Sequence, residues 1–273
     1  MPVTERQLAA FADKHAGQIP FDTSPRHLAG PGDARHVTHG LAAAGWSTVS
    51  DPLSAEIVLR SPDLRHRLQF DPQSTTSVWW RLWTETTDNG SGWYAEFGEL
   101  VPAEILTGFT DALVVPPPQQ ADPWQPVISS GWHRDSDGTA HSPDSMCHIE
   151  RRPLSEFHDG PAWHIETREP GHGEFPGPRI WHAYFDERTP AHLVGSFLTT
   201  LADRSPLQRG MYDRTGHYSA VQEPSPLRPQ QVVDAHTTRL KSLRTQARST
   251  RRQQTKPTTT RATACPARPA ARR

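Results

Sequence analysis

Trp93–Leu113 reads WYAEFGELVPAEILTGFTDAL, and Trp181–Leu201 reads WHAYFDERTPAHLVGSFLTTL. Trp93, Ala95, Phe97, Glu99, Pro102, Ala103, Phe109 and Leu113 all recur 88 residues later with no gap, where ordinary residue frequencies give roughly one match by chance. The chain is therefore a tandem repeat. Within each copy the apolar period changes midway, from alternation over Trp93, Ala95 and Phe97 to helical spacing over Ile105, Phe109, Ala112 and Leu113, so a strand feeds a helix. Pro102 and Pro190 fall where a helix starts and no N–H is needed. Thr189 is the expected N-cap of the second copy.

Outward from this unit, Thr4 to Ala16 predicts a short amphipathic helix with Thr4 and Gln7 at capping-box spacing. A turn-rich linker is expected from Gln18 to Gly32 and a second helix from Asp33 to Ala44, closed by Gly45-Trp46. That Gly-Trp pair returns as Gly131-Trp132, and the turn Ser61-Pro62-Asp63 returns as Ser142-Pro143-Asp144. Strands are expected near 47–50, 55–60, 65–70, 78–84 and 93–97, then near 146–152, 163–168 and 180–185. After Arg204 the chain reads as irregular, with one more helix from Pro229 to about Arg252 and disorder from Gln253 onward. The expected fold is α+β, with two similar repeats, each a helix, an antiparallel sheet of about four to five strands and a closing helix. The expected divisions are 1–23 (N-terminal helix and linker), 24–116 (first repeat), 117–204 (second repeat) and 205–273 (linker, helix and Arg-rich tail).

Composition narrows the function classes. No run of apolar residues is long enough to cross a bilayer, and MPVTERQLAAFADKH carries no secretory pattern. Cys147 and Cys265 are the only cysteines, which points to a reducing, cytoplasmic setting without a disulfide framework. Residues 1–234 hold all 30 acidic side chains and 18 of the 29 basic ones, a net of −12, and the remaining 11 basic residues follow with no acid among them. Attraction to a phosphate backbone thus belongs to the C-terminal segment, with Arg244, Arg248, Arg251 and Arg252 as its candidate contacts.

The Gly-Trp after a helix, the Ser-Pro-Asp turn, Trp79-Trp80-Arg81 and the WYAEFGELVPAEILTGFTDAL unit together resemble the actinomycete domain-of-unknown-function family 317, also called after its Ser-Pro-Asp-Tyr signature. The resemblance covers about Ser24 to Arg204. Leu64 and Ser145 stand at the signature's tyrosine position. What it implies is a tandem-domain protein of filamentous soil bacteria, often linked with mobile elements, and it implies no catalytic residue.

Strand parity sorts the side chains into two faces. Leu68, Phe70, Trp80, Leu82, Trp93, Ala95 and Phe97 point to a core. The opposite face of the first repeat presents Arg65, Arg67, Trp79, Arg81, Trp83, Tyr94 and Glu96. Arginines among aromatics suit a protein interface or stacking on bases beside phosphates. The same face of the second repeat carries His148, Glu150, His164, Glu166, His182 and Tyr184. His148, His164, Glu166 and His182 are the types a zinc or iron site uses, although the Pro-Cys-x-x-Cys that accompanies His-x-Glu in zinc deaminases is missing. Nucleophile-elbow, zincin, Walker and kinase motifs are also missing, and Cys147 points to the core. The sequence therefore favours a non-enzymatic binding module without a cofactor, partnered by protein or nucleic acid. A metalloprotein or enzyme using the His/Glu face is the competing expectation, and a homo-oligomer joined through the outer faces is the third.

Overall fold

The computed structural model describes residues 3–86, 91–117, 122–153, 161–172 and 175–254. Helix α1 (Glu5–Ala16) starts at the expected capping box, with the Gln7 amide N–H donating to Thr4 Oγ1. Strand β1 (Pro20–Ser24) and a 3-10 turn at Arg26–Leu28 follow. The first repeat then runs α2 (Arg35–Ala43), β2 (Ser47–Thr48), β3 (Ile57–Arg60), β4 (His66–Phe70), β5 (Val78–Thr84), β6 (Trp93–Gly98) and α3 (Ala103–Val114). The second runs α4 (Gln125–Ser129), β7 (His133–Arg134), β8 (Thr139–His141), β9 (Cys147–Pro153), β10 (Pro161–Arg168), β11 (Arg179–Phe185) and α5 (Ala191–Ala202). Strands β12 (Leu207–Gly210) and β13 (Val221–Pro224) precede a long helix, α6 (Pro229–Gln254).

The two repeats share one antiparallel sheet of ten strands, ordered β2-β3-β4-β5-β6-β11-β10-β9-β8-β7. The seam is between the last strands of the two copies, where Glu96 faces Tyr184, its own counterpart in the repeat. Ala95 and Phe97 face Phe185 and Ala183 in the same pairing, so the copies meet about a pseudo-twofold axis, as two subunits do in an isologous dimer.

Helices α2 to α5 cover one face of this sheet. At the centre, Phe97, Phe109, Phe185 and Phe197 are at most 1% exposed, and the Phe97–Phe185, Phe97–Phe109 and Phe185–Phe197 ring centroids lie 5.4, 5.7 and 5.3 Å apart. All four rings come from the duplicated unit. Above them α3 and α5 approach closely at Gly108, where a Cβ would sit 2.3 Å from Thr200 Oγ1. That hydroxyl donates to the Ile105 carbonyl across the interface.

Duplication extends to the turns. Ser61 Oγ donates to Asp63 Oδ1, which also accepts from the Arg65 N–H, while the His66 N–H donates to Ser61 Oγ. Ser142, Asp144, Met146 and Cys147 repeat this pattern bond for bond. Leu64 and Ser145, at the signature's fourth position, both have left-handed backbones, with φ of 64° and 58°. Gly45 and Gly131 are likewise left-handed (φ 95° and 82°), ending α2 and α4 as glycine does. An arginine caps each of these ends: Arg251 donates to the Ala44 carbonyl and Arg204 to the Ser130 carbonyl.

Two expectations need correction. Thr189 does not cap α5, because Pro190 occupies the N-cap, and the Thr189 hydroxyl donates to Asp186 Oδ1 at 2.7 Å instead. The expected linker Gln18–Gly32 and the irregular stretch after Arg204 together form a second sheet, ordered β12-β1-β13. Its strands are short and lack clean alternation, but Arg209, 2% exposed, anchors them by donating to the Ala29 and Gly30 carbonyls and pairing with Glu104 at 2.7 Å. Arg244, Arg248, Arg251 and Arg252 lie on α6, the helix expected from Pro229 to about Arg252. The rest of the expected disordered segment, 255–273, lies outside the described residues.

Helix α6 packs on α1, α2 and α3, forming a second helical layer. Arg239 pairs with Asp111 through both nitrogens at 3.0 and 2.5 Å and donates to the His36 carbonyl. Beside it, His236 stacks on Phe11 at 3.9 Å and lies 3.3 Å from His39, ring nitrogen to ring nitrogen. No described helix is long and apolar enough to cross a membrane.

Candidate functional site

With every described helix on one side, the other face of the ten-stranded sheet is lined by polar and aromatic side chains. Strand pairing places Gln69, Arg81, Glu96, Tyr184, His164 and Glu150 in one straight row across six strands. Flanking it in the first repeat, Arg67, Trp83 and Tyr94 are cross-strand neighbours. In the second repeat His182, Glu166, His148, His141 and His133 form the matching row. This is why period-two strands were sufficient to group the residues: cross-strand neighbours share a face.

Among the first-repeat residues, Arg65 and Arg67 are exposed, whereas Trp79, Arg81, Trp83 and Tyr94 are half-buried. The Arg67 guanidinium lies 5.2 Å over the Trp83 ring. Arg81 donates to Thr76 Oγ1 at 3.2 Å. Trp79 stands apart, because the ladder shifts register between Val78 and Trp80. Its ring packs edge-on to Phe70 at 6.2 Å against the core. A bulge displaces a side chain in this way, and no periodicity argument locates one.

At the pseudo-twofold axis the two halves meet in a polar cluster. Tyr94 donates to Glu96 Oε2 at 2.7 Å, His182 Nε2 lies 3.6 Å from Glu96 Oε1, and Tyr184 lies 5.0 Å from the His164 ring. The neighbouring His182, aided by the Tyr94 hydrogen bond, holds the Glu96 carboxyl below its ordinary range against burial. Burial pushes the Tyr184 phenol up to about 12 and, with the bond to Glu96, raises that of Tyr94. Burial also lowers the His164 imidazole. The cluster thus holds one carboxylate among neutral phenols, and Glu96, on the straight row, is its hub.

The metal-ligand set separates. His148, Glu166 and His182 are cross-strand neighbours, but His164 is in the adjoining row beside Tyr184. Glu166 accepts from Arg168 at 2.8 Å and from Arg179 at 3.2 Å. Burial would raise its pKa, but these arginines bring it below the ordinary value. His148 Nδ1 lies 2.6 Å from His141 Nδ1. Among the described residues no group of three or more His, Cys, Asp or Glu is arranged to hold a metal ion. Cys147 is fully buried, and burial raises its thiol to about 12, away from nucleophile chemistry.

The geometry defines a class: a tandem α+β protein whose two copies complete one sheet across a pseudo-twofold seam, helices on one side and, on the other, a face that no described helix covers. The profile of the SPDY family, a domain of unknown function (DUF317), matches residues 60–119 and again 141–207, so the chain carries two copies of that domain in tandem. No curated protein and no solved structure matches the chain.

Proposed function

We propose that the chain is a non-enzymatic binding module, working in the cytoplasm, whose uncovered sheet face engages a protein partner. The observation that carries this is the pairing of half-buried aromatics with charges already matched on the face itself. Arg60 meets Glu85 at 3.4 Å, Arg152 meets Glu150 at 3.2 Å, and Arg168 and Arg179 meet Glu166. Matched charges offer little to a phosphate backbone, while Trp, Tyr and Arg at the centre of a patch are what protein interfaces use. Arg67, Arg81, Trp83 and Tyr94 form the contact surface in this reading, with Arg65 at its rim.

A second reading, nucleic-acid attraction, rests on α6 and the basic residues after it. Arg244 and Arg248 are exposed there, and no acid follows Asp234. This surface lies in the helical layer, on the side away from the sheet face. The double variant Arg67→Glu/Trp83→Ala separates the two readings. Used as bait in parallel with the natural chain, it is expected to lose the protein partner while keeping its melting temperature. DNA binding, titrated between 50 and 200 mM salt, is expected to depend on 255–273 and to ignore the double variant. Equal capture of the same partner by both baits overturns the sheet-face reading.

A further inference from the structure

The two copies of the Ser-Pro-Asp turn are built alike but are used differently. In the second repeat, His27 from the N-terminal segment enters the cleft between this turn and the Gly-Trp turn. Its Nε2 lies 2.8 Å from Asp144 Oδ2, its carbonyl accepts from the Trp181 indole N–H at 2.7 Å, and its ring meets Trp132 edge-on at 6.2 Å. His27 is only 3% exposed, so the contact is a built one. In the first repeat the equivalents of Asp144, Trp181 and Trp132 are Asp63, Trp93 and Trp46. A cleft of about 140 Å³ remains at the corresponding place, lined by Trp46, Pro62, Asp63, His66 and, from α6, Thr250 and Arg251. Asp63 uses Oδ1 for Ser61 and Arg65. Its Oδ2 and the Trp93 indole N–H, the two anchors that His27 takes in the other copy, have no partner among the described residues.

We infer that the first Ser-Pro-Asp cleft is a docking site for a short partner-protein segment of the Pro-x-His type, bound as Pro25–Arg26–His27 is bound in the second. Asp63 accepts from the incoming imidazole, and Trp46 flanks its ring. The floor differs in one respect: His66 stands where the second copy has Cys147, its ring 6.3 Å from Trp46 and its Nδ1 held on Thr84 Oγ1 at 2.6 Å. The incoming ring therefore sits shallower than His27 does. The site is at the strand ends beside α6 and does not depend on the outer sheet face.

The chain's own segment is the probe. A labelled peptide of sequence TSPRHL, copied from residues 23–28, is titrated against the full chain by fluorescence anisotropy. Saturable binding is expected, weakened about 10-fold or more by Asp63→Asn, since a charge-assisted hydrogen bond is lost. Replacing the peptide's histidine by alanine should weaken it equally. Thr250→Trp, which fills the cleft from α6 and leaves Asp63 intact, should do the same if Asp63→Asn disturbs folding, and Arg67→Glu/Trp83→Ala should change nothing. No binding at millimolar peptide, or equal binding to Asp63→Asn, overturns the site. Self-association that Asp63→Asn abolishes, or a 10-fold gain in peptide affinity on removing 255–273, overturns the partner in favour of a second copy or the chain's own end.

Discussion

Phe109 touches Trp93, Phe97 and Phe185, with ring centroids at 5.8, 5.7 and 5.3 Å, and so ties both repeats to one helix. Truncating a fully buried aromatic leaves a cavity that packed neighbours cannot close, so Phe109→Ala should cost about 3–5 kcal/mol, read from urea unfolding. Leu64 presents the opposite case. A leucine with φ of 64° that is 56% exposed has strain and little burial to offset it, and Leu64→Gly should stabilise the protein by up to about 1 kcal/mol. Residues of the first kind were legible in the sequence because apolar period and duplication both marked them. The left-handed positions were not, since nothing in a leucine or a serine announces such a backbone. Asp63 and Asp144 illustrate the same limit: their local bonds follow from the turn motif, but the imidazole on Asp144 arrives from residue 27, more than a hundred positions away in the chain.

Most strands and helices of the repeats appeared close to where periodicity put them, and β5 has the expected bounds, whereas the two- and three-residue strands β7 and β8 were not expected. What could not be read was any element whose partner is remote. Strands β1, β12 and β13 are four or five residues each, too short for alternation to be distinctive, and they exist because Arg209 and their mutual pairing hold them. Docking of α6 is another such case, and it predicts a pH response. Burial lowers the His39 imidazole to about 4 and that of His236 to about 3, and burial lowers His36 as well. Around them stand Asp33, Lys14 and His15 from the α1 side, Arg35 and Glu104, and Arg239 and Arg209. The unfolded chain takes up protons below about pH 6.5, the ordinary histidine value, while the folded protein does not until far lower. Stability from these groups is therefore full above that pH and is lost as pH falls toward 4, by about 2 kcal/mol or more each for His39 and His236. Urea midpoints at pH 7.5 and 5 should show the loss, and His236→Phe should flatten the slope between them. An unchanged slope in that variant would place the dependence elsewhere.

For the molecule as a whole, the seam between β6 and β11 is the organising contact, and whether the two sheets joined was not decidable from the sequence. Isolated residues 24–116 would leave β6 as an unpaired edge above two exposed phenylalanines, so this fragment should pair with itself to form a homodimer in light scattering. In that dimer Glu96 would oppose Glu96 rather than Tyr184, and like charges directly opposed are destabilising. Glu96→Tyr should therefore tighten the fragment's dimer, and a fragment that stays monomeric with either residue would show that the seam needs the rest of the chain.

Duplicated backbone with unlike side chains also gives the uncovered face a polarity. One end of it is arginine and tryptophan, the other histidine and glutamate, and the scaffold beneath is nearly the same on both sides. If the face binds as proposed, a ligand lying across the seam would meet opposite surroundings when turned end for end, so it would be accepted in one orientation. A ligand with two identical halves would be read by one of them only, and this symmetric framework would then serve to recognise direction.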